Sequence, residues 1–225
     1  RHPKAAAAGG ADVLPQGATS FDVALDAVLN SWVATGGTRS DRLVKAGAYY
    51  PKLWNMAVRA DAAGHSALEG QNGRLIFDPN LPVHEDVDLI DRIRRAKAGA
   101  ILYAPEIVVE HSCDTTYAEF FKRNAAMARV SRQKKIHVQS HRMMSAALPG
   151  LLVLSLLSLW FDTARWALCA VLLGYSAMLL LPAVFGAWRK KRAQLLFWMP
   201  ILLGSMHLAR AVGYILPDGF ITRQS

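Results

Sequence analysis

The sequence predicts a mixed α/β domain followed by about three transmembrane α-helices, and three observations carry that expectation. Residues 19–34 set Phe21, Ala24, Leu25, Val28, Leu29 and Trp32 on a single helical face. Residues 100–104 and 107–111 are short runs rich in Ile, Val and Tyr on either side of Pro105, which is strand composition. Three apolar runs, 146–161, 166–188 and 193–216, fill most of the last third of the chain.

The 225 residues are 52% hydrophobic, too apolar for a chain that stays unfolded. Two cysteines, Cys113 and Cys169, exclude a disulfide scaffold. The net charge of +9 is unevenly built. Residues 1–145 hold 19 basic and 15 acidic side chains, whereas residues 146–225 hold only 7 and 2. The apolar runs are 16, 23 and 24 residues long, the last interrupted by Arg210 alone. A helix crossing the ~30 Å hydrocarbon core needs about 20 residues. The second and third runs reach that length and the first falls short of it. Their C-terminal, repeated placement excludes a signal peptide.

The basic residues give an orientation. Arg129, Arg132, Lys134, Lys135 and Arg142 precede the first run, and Arg189, Lys190, Lys191 and Arg192 fill the gap between the second and third. Basic loops stay on the cytoplasmic side, so the expected protein is a multi-pass inner-membrane protein with its soluble part cytoplasmic. Domain 1–116 is the α/β part, 117–145 a basic segment and 146–218 the membrane region. In the basic segment Phe120, Phe121, Ala125, Met127, Ala128, Val130, Ile136 and Val138 alternate with Lys and Arg. That mixture suits a helix at the headgroup level, attracted to anionic membrane lipids. A solvated helical linker is the plainer reading. Nucleic acid would exploit the same charge, but the run leads straight into a membrane span, so no nucleic acid is expected as partner.

Within the α/β part, Gly36–Gly37 is expected to stop the first helix. A second helix is expected over 86–98, with Val87, Ile90 and Ile93 inward, Arg92, Arg95 and Lys97 outward, and Gly99 as its stop. Residues 64–82 read as a loop, and Ala5–Ala8 as a low-complexity tract. The chemically suggestive segment is Val83-His84-Glu85-Asp86-Val87-Asp88-Leu89, where that loop enters the second helix. Acids at a helix start complement its dipole and cap it. One cap needs one acid, however, and three within four positions repel one another. A base at the mouth of a cleft accounts for that concentration equally well.

The order of elements adds a resemblance. Asn55-Met56-Ala57-Val58-Arg59, Phe77-Asp78-Pro79, the Glu85-Asp86-Val87-Asp88-Leu89 helix start, Arg92, Gly99, Tyr103-Ala104-Pro105 and Val109-Glu110-His111 follow one another. This string resembles the C-terminal half of a family 2 glycosyltransferase domain of the GT-A fold, over about residues 9–145. Members that build bacterial exopolysaccharides also carry C-terminal spans. The resemblance implies a membrane-bound inverting enzyme that moves one sugar from a nucleotide-sugar donor to a lipid-linked or saccharide acceptor near the membrane. It implies Asp86 as the catalytic base, with Glu85 shaping the site, and Asn55, Arg59 and Trp54 at the acceptor. His111 is implied as a ligand of a divalent ion, Mg or Mn, whose main ligands lie outside this chain. The residues themselves leave Arg59 open as a surface arginine, His111 as a structural histidine, and Asp88 as a cap or an i,i+4 partner of Arg92.

Two departures matter. Leu53-Trp54 stands where the family has small residues, and no Asp-x-Asp suited to a metal precedes Asn55. The expectation is therefore a fragment, or a subunit needing a partner for donor binding, without transfer activity alone. The Gln-x-x-Arg-Trp element of processive synthases is incomplete, because Met143 follows Gln139-Ser140-His141-Arg142. Two other function classes compete: an inactive membrane anchor or binding module, and a small transporter subunit using His207 and Arg210 inside its last span.

Overall fold

The computed structural model describes residues 2, 4–35, 49–70, 73–81, 83–112, 116–133 and 139–216. The Gly36–Gly37 stop, Cys113, Lys134, Lys135 and the tail with Asp218 and Arg223 lie outside them. In chain order the elements are β1 (Ala5–Val13), α1 (Ser20–Leu29), α2 (Trp32–Thr35), a 3-10 turn Leu53–Asn55, β2 (Met56–Val58), α3 (Ala60–His65), β3 (Leu68–Gly70), β4 (Gly73–Leu75), α4 (Glu85–Arg95), β5 (Ala100–Glu110), α5 (Tyr117–Gln133), α6 (Gln139–Leu157), α7 (Asp162–Lys190) and α8 (Leu195–Ile215). They form two compact units, the described residues of Arg1–Thr19 with Leu29–Cys113, and of Ser20–Val28 with Asp114–Ser225.

The first unit is mixed α/β. Its sheet has the order β2-β1-β5, with β1 antiparallel to β2 and parallel to β5. The central strand is the Ala5–Ala8 tract that the sequence reading set aside. Its small side chains leave room for α4, whose Leu89, Ile90 and Ile93 are fully buried against Ala6 and Ala7. Residues 100–104 and 107–111 are not two strands but the single edge strand β5. Its ladder on β1 breaks between Tyr103 and Val108, where Pro105 cannot donate a hydrogen bond. Gly10 faces that bulge, and a Cβ there would strike the carbonyl oxygens of Ile107 and Ala104. The 64–82 loop is partly ordered too, since β3 and β4 form an antiparallel hairpin.

Helix α4 starts and stops earlier than predicted. It ends at Arg95, followed by Lys97 in the left-handed region (φ 51°) and by Gly99 (φ 142°). Arg92 does not point away into solvent. It pairs with Asp88 at 2.9 Å and donates to the carbonyl oxygens of Ser66 and, at 2.6 Å, Ile76. Asp91 accepts from the Tyr50 hydroxyl at 2.7 Å, and Arg94 lies 4.1 Å over the Tyr50 ring. Burial, then the Asp91 carboxylate, pushes the Tyr50 phenol above its ordinary value. Because folding favours the neutral phenol, this contribution is complete below about pH 10 and is lost as pH rises through the folded value. Tyr50→Phe is expected to remove one late-ionising tyrosine from an alkaline spectrophotometric titration. It should cost about 1.5–3 kcal/mol for a hydrogen bond to a charged partner. An unchanged titration curve would remove the Tyr50–Asp91 bond from this account.

The second unit is helical. Helix α1 belongs to it, burying Ala24, Leu25 and Val28, with Phe21 edge-on to Trp198 and Asp26 paired to Lys190 at 2.8 Å. The helix predicted over 19–34 is two helices, because Ser31 caps α2 by accepting from the Ala34 amide. Among the described residues two helices, rather than three, are long and apolar enough to cross a membrane: α7 and α8. In α6 the apolar part is only residues 146–157, which at 1.5 Å per residue is about 18 Å. Helix α7 has only 6% of its most apolar stretch buried, so its exposure is not that of a core helix. Exposed Trp166 and Trp188 bracket it, separated by 22 residue steps or about 33 Å. That separation matches the hydrocarbon core between two aromatic belts. Half of the corresponding stretch of α8 is buried, because α5 lies along it. The seam runs from Tyr117 Oη with Ser205 Oγ to Arg132 Nη1 with the Tyr214 carbonyl (2.7 Å). Phe120, Ala125, Ala128 and Val130, apolar positions that the sequence reading turned toward lipid, are buried within the unit.

Candidate functional site

Three of the residues singled out from sequence meet at the carboxyl ends of β1 and β5. The 3-10 turn presents Trp54, which stacks on His111 with ring centroids 4.1 Å apart and planes 17° from parallel. His111 follows β5 directly, and its amide donates to the Val13 carbonyl at 2.9 Å. Asn55 is buried, and its Nδ2 donates to the Ala11 carbonyl and to Asp12 Oδ1, both at 3.1 Å. One face of the Trp54 ring is covered by imidazole, yet the residue stays 38% exposed. A partly exposed indole plane suits the C–H face of a sugar or another flat, weakly polar group. Open α/β sheets bind ligands beyond the carboxyl ends of their parallel strands, and this cluster occupies such an end.

Asp12 belongs to the cluster and was not found by sequence reading. Its only signal is an acid closing an Ala-Gly strand three residues before Pro15.

Arg59 lies elsewhere. Its backbone N–H donates to the Ala6 carbonyl, and its guanidinium donates to the carbonyls of Ala5 (2.9 Å) and Ala98 (3.1 Å) and to Asp61. The Arg59 hydrogen bond holds the Asp61 carboxyl below the ordinary carboxylate range. Asn55 and Arg59 thus attach to opposite ends of β1, about 20 Å apart for six residues of strand. The structure makes Arg59 a clasp on the amino end of the sheet, away from the Trp54–His111 stack.

The Glu85-Asp86 pair forms the first turn of α4. The residue before it, His84, caps the helix in the left-handed region (φ 69°) without a side-chain cap bond. Asp86 Oδ1 accepts from the Val87 amide at 2.8 Å. The Glu85 carboxylate makes no hydrogen bond or ion pair with a described residue, whereas Asp88 and Asp91 are both engaged. Two of the four acids of α4 therefore hold the fold, and two keep acceptor capacity. The chain passes from α4 into β5 within four residues, and Ala98 sits beside the Ala5 end of β1 through Arg59. The carboxyl end of α4 is thereby fixed at the amino ends of the strands, and its first turn faces the other way. Among the described residues no hydrogen bond or ion pair links Glu85 or Asp86 to Trp54, Asn55 or His111.

These residues do not by themselves fit a divalent ion. Among the described residues no three His, Cys, Asp or Glu side chains group as a metal site. Comparison of the chain with protein-family models, with curated proteins and with solved structures gives no match.

Proposed function

We propose that this protein is a membrane-associated inverting glycosyltransferase, moving a single sugar from a nucleotide-sugar donor to a lipid-linked or membrane-proximal saccharide acceptor. The observation that carries the reading is the Glu85-Asp86 pair, two carboxylates with spare acceptor capacity at the start of a helix whose other acids are committed to the fold. In the reaction an acceptor hydroxyl oxygen attacks the anomeric carbon. The bond from that carbon to the diphosphate oxygen breaks, and the leaving diphosphate keeps the electron pair. Asp86 takes the hydroxyl proton, a task that suits a carboxylate within hydrogen-bond reach. Glu85 keeps the neighbouring potential negative and orients the acceptor. Trp54 offers its open face to a sugar ring, backed by His111, and Asn55 holds the turn that carries it. Arg59 is left out of the site, because its donors are engaged with Ala5, Ala98 and Asp61.

The membrane part of the reading rests on α7 and its exposed Trp166 and Trp188. We place the Arg189–Arg192 turn on the cytoplasmic side of the cell membrane by the excess of basic residues there. The Asp26–Lys190 pair puts α1 on the same side. A thiol reagent outside intact cells is expected to label Cys at Thr163 and not Cys at Lys191, and the reverse pattern would invert the orientation.

The activity itself is tested with native membranes, with and without the protein, given labelled nucleotide-sugars. Label should pass into a lipid-extractable or membrane-retained saccharide only where the protein is present. A rival reading, an inactive membrane-anchored module, draws on the purely structural bonds of Asn55 and Arg59. Equal incorporation by both membranes across a panel of donors would leave that rival standing.

A further inference from the structure

Helix α5 carries a charge that nothing described in the helical unit neutralises. Arg129 is only 5% exposed, and its Nε and Nη2 have no hydrogen-bond partner. The described acids of the helical unit are engaged by other groups: Asp26 by Lys190, Asp162 by Arg165, Glu119 by the amide and hydroxyl of Thr116, and Asp22 by a partner other than Arg129. Two further cations lie along the same α5–α8 seam. Buried Arg210 of α8 reaches Asn124 of α5 at 3.3 Å, and Arg132 donates to the Tyr214 carbonyl three residues beyond Arg129. Buried cations are kept in folds when paired, and an uncompensated one is strongly unfavourable. A guanidinium with two free donors presents a planar fork that matches an oxyanion.

We propose that Arg129, with Arg210 and Arg132 along the α5–α8 seam, forms a binding site for a phosphate oxyanion. The site is independent of the sugar-transfer reaction, and its residues belong wholly to the helical unit. The phosphate has two chemical sources, a lipid headgroup or a soluble phosphate. Helix α8, one wall of the seam, is long and apolar enough to lie among lipids.

The test is thermal unfolding of the intact protein in two arms. One arm titrates inorganic phosphate against chloride at equal ionic strength in neutral detergent. The other compares nanodiscs of phosphatidylcholine alone with nanodiscs containing phosphatidylglycerol. The wild-type melting temperature should rise in at least one arm. A rise with inorganic phosphate identifies a soluble anion, and a rise confined to phosphatidylglycerol identifies a headgroup. Arg129→Met keeps the volume and removes the fork, so its apparent affinity should fall at least about tenfold for loss of charged hydrogen bonds. Without phosphate or anionic lipid this variant should melt no lower than the wild type, since it removes an unpaired buried charge. Arg129→Lys keeps the charge without the fork and should retain only part of the response. Absence of any anion-dependent shift in the wild type overturns the proposal by itself. An equal shift in wild type and Arg129→Met overturns it as well.

Discussion

Gly213→Leu is expected to abolish the folded helical unit, and Gly213→Ala to destabilise it by about 1–3 kcal/mol or more, as overpacking does in well-filled cores. The cause is backbone against backbone. A Cβ at Gly213 would overlap the Ala125 carbonyl oxygen and come within 2.6 Å of its carbonyl carbon and 2.7 Å of its Cα. No side chain is available to step aside, so α5 would have to leave α8. The Tyr117–Ser205, Asn124–Arg210 and Arg132–Tyr214 bonds would then part together. Gly174→Ala is the matched control. Gly174 lies in mid-α7 with nothing within 4 Å of an added Cβ, so alanine there should gain up to about 1 kcal/mol of helix propensity. Thermal unfolding in detergent reads both. A Gly213→Ala protein that melts with the wild type would mean that the two helices do not approach as closely as described.

That contact was not legible in the sequence, and the reason is general to the helical unit. Hydropathy marks which stretches avoid water without saying what covers them. The face Ala24, Leu25 and Val28 was readable because its period is helical, but the helix's partners, Trp198 against Phe21 and Lys190 against Asp26, are more than 160 residues away. The same limit explains the first apolar run. Composition placed a helix from residue 146 to residue 161, whereas the helix begins at Gln139 and gives way to a turn after Leu157. In the α/β unit, α4 was legible from Ile90 and Ile93, which are buried as their spacing demands. The strand beneath it was not, because Ala and Gly have little strand preference of their own. Their place in β1 is set by the close approach of Leu89, Ile90 and Ile93. The candidate site divides in the same way. Asn55 and Arg59 are four residues apart in sequence, but β2 carries them to opposite ends of β1, and that separation is a property of the sheet register.

Asp86→Asn is expected to lower sugar transfer by native membranes about 10²–10⁴-fold, the usual range for loss of a general base. The substitution separates chemistry from capping with little ambiguity. The one bond seen at this carboxylate is from the Val87 amide to Oδ1, and an asparagine Oδ1 accepts it equally well. What is lost is the negative charge in the first turn, worth about 0.3–1 kcal/mol through the helix dipole, and the capacity to take a proton. A residue that serves only the helix would therefore leave turnover intact at temperatures where both proteins are folded. Asp88→Asn supplies the opposite control. It removes the negative charge from the 2.9 Å pair with Arg92, which also holds the Ser66 and Ile76 carbonyls, so stability should fall while transfer per folded molecule persists. Glu85→Gln should fall between them. Its carboxylate has no described partner to lose, and its effect on rate comes only through the charge beside Asp86. Wild-type turnover in Asp86→Asn, or a loss no larger than in Asp88→Asn, would reduce the whole acidic segment to a helix start.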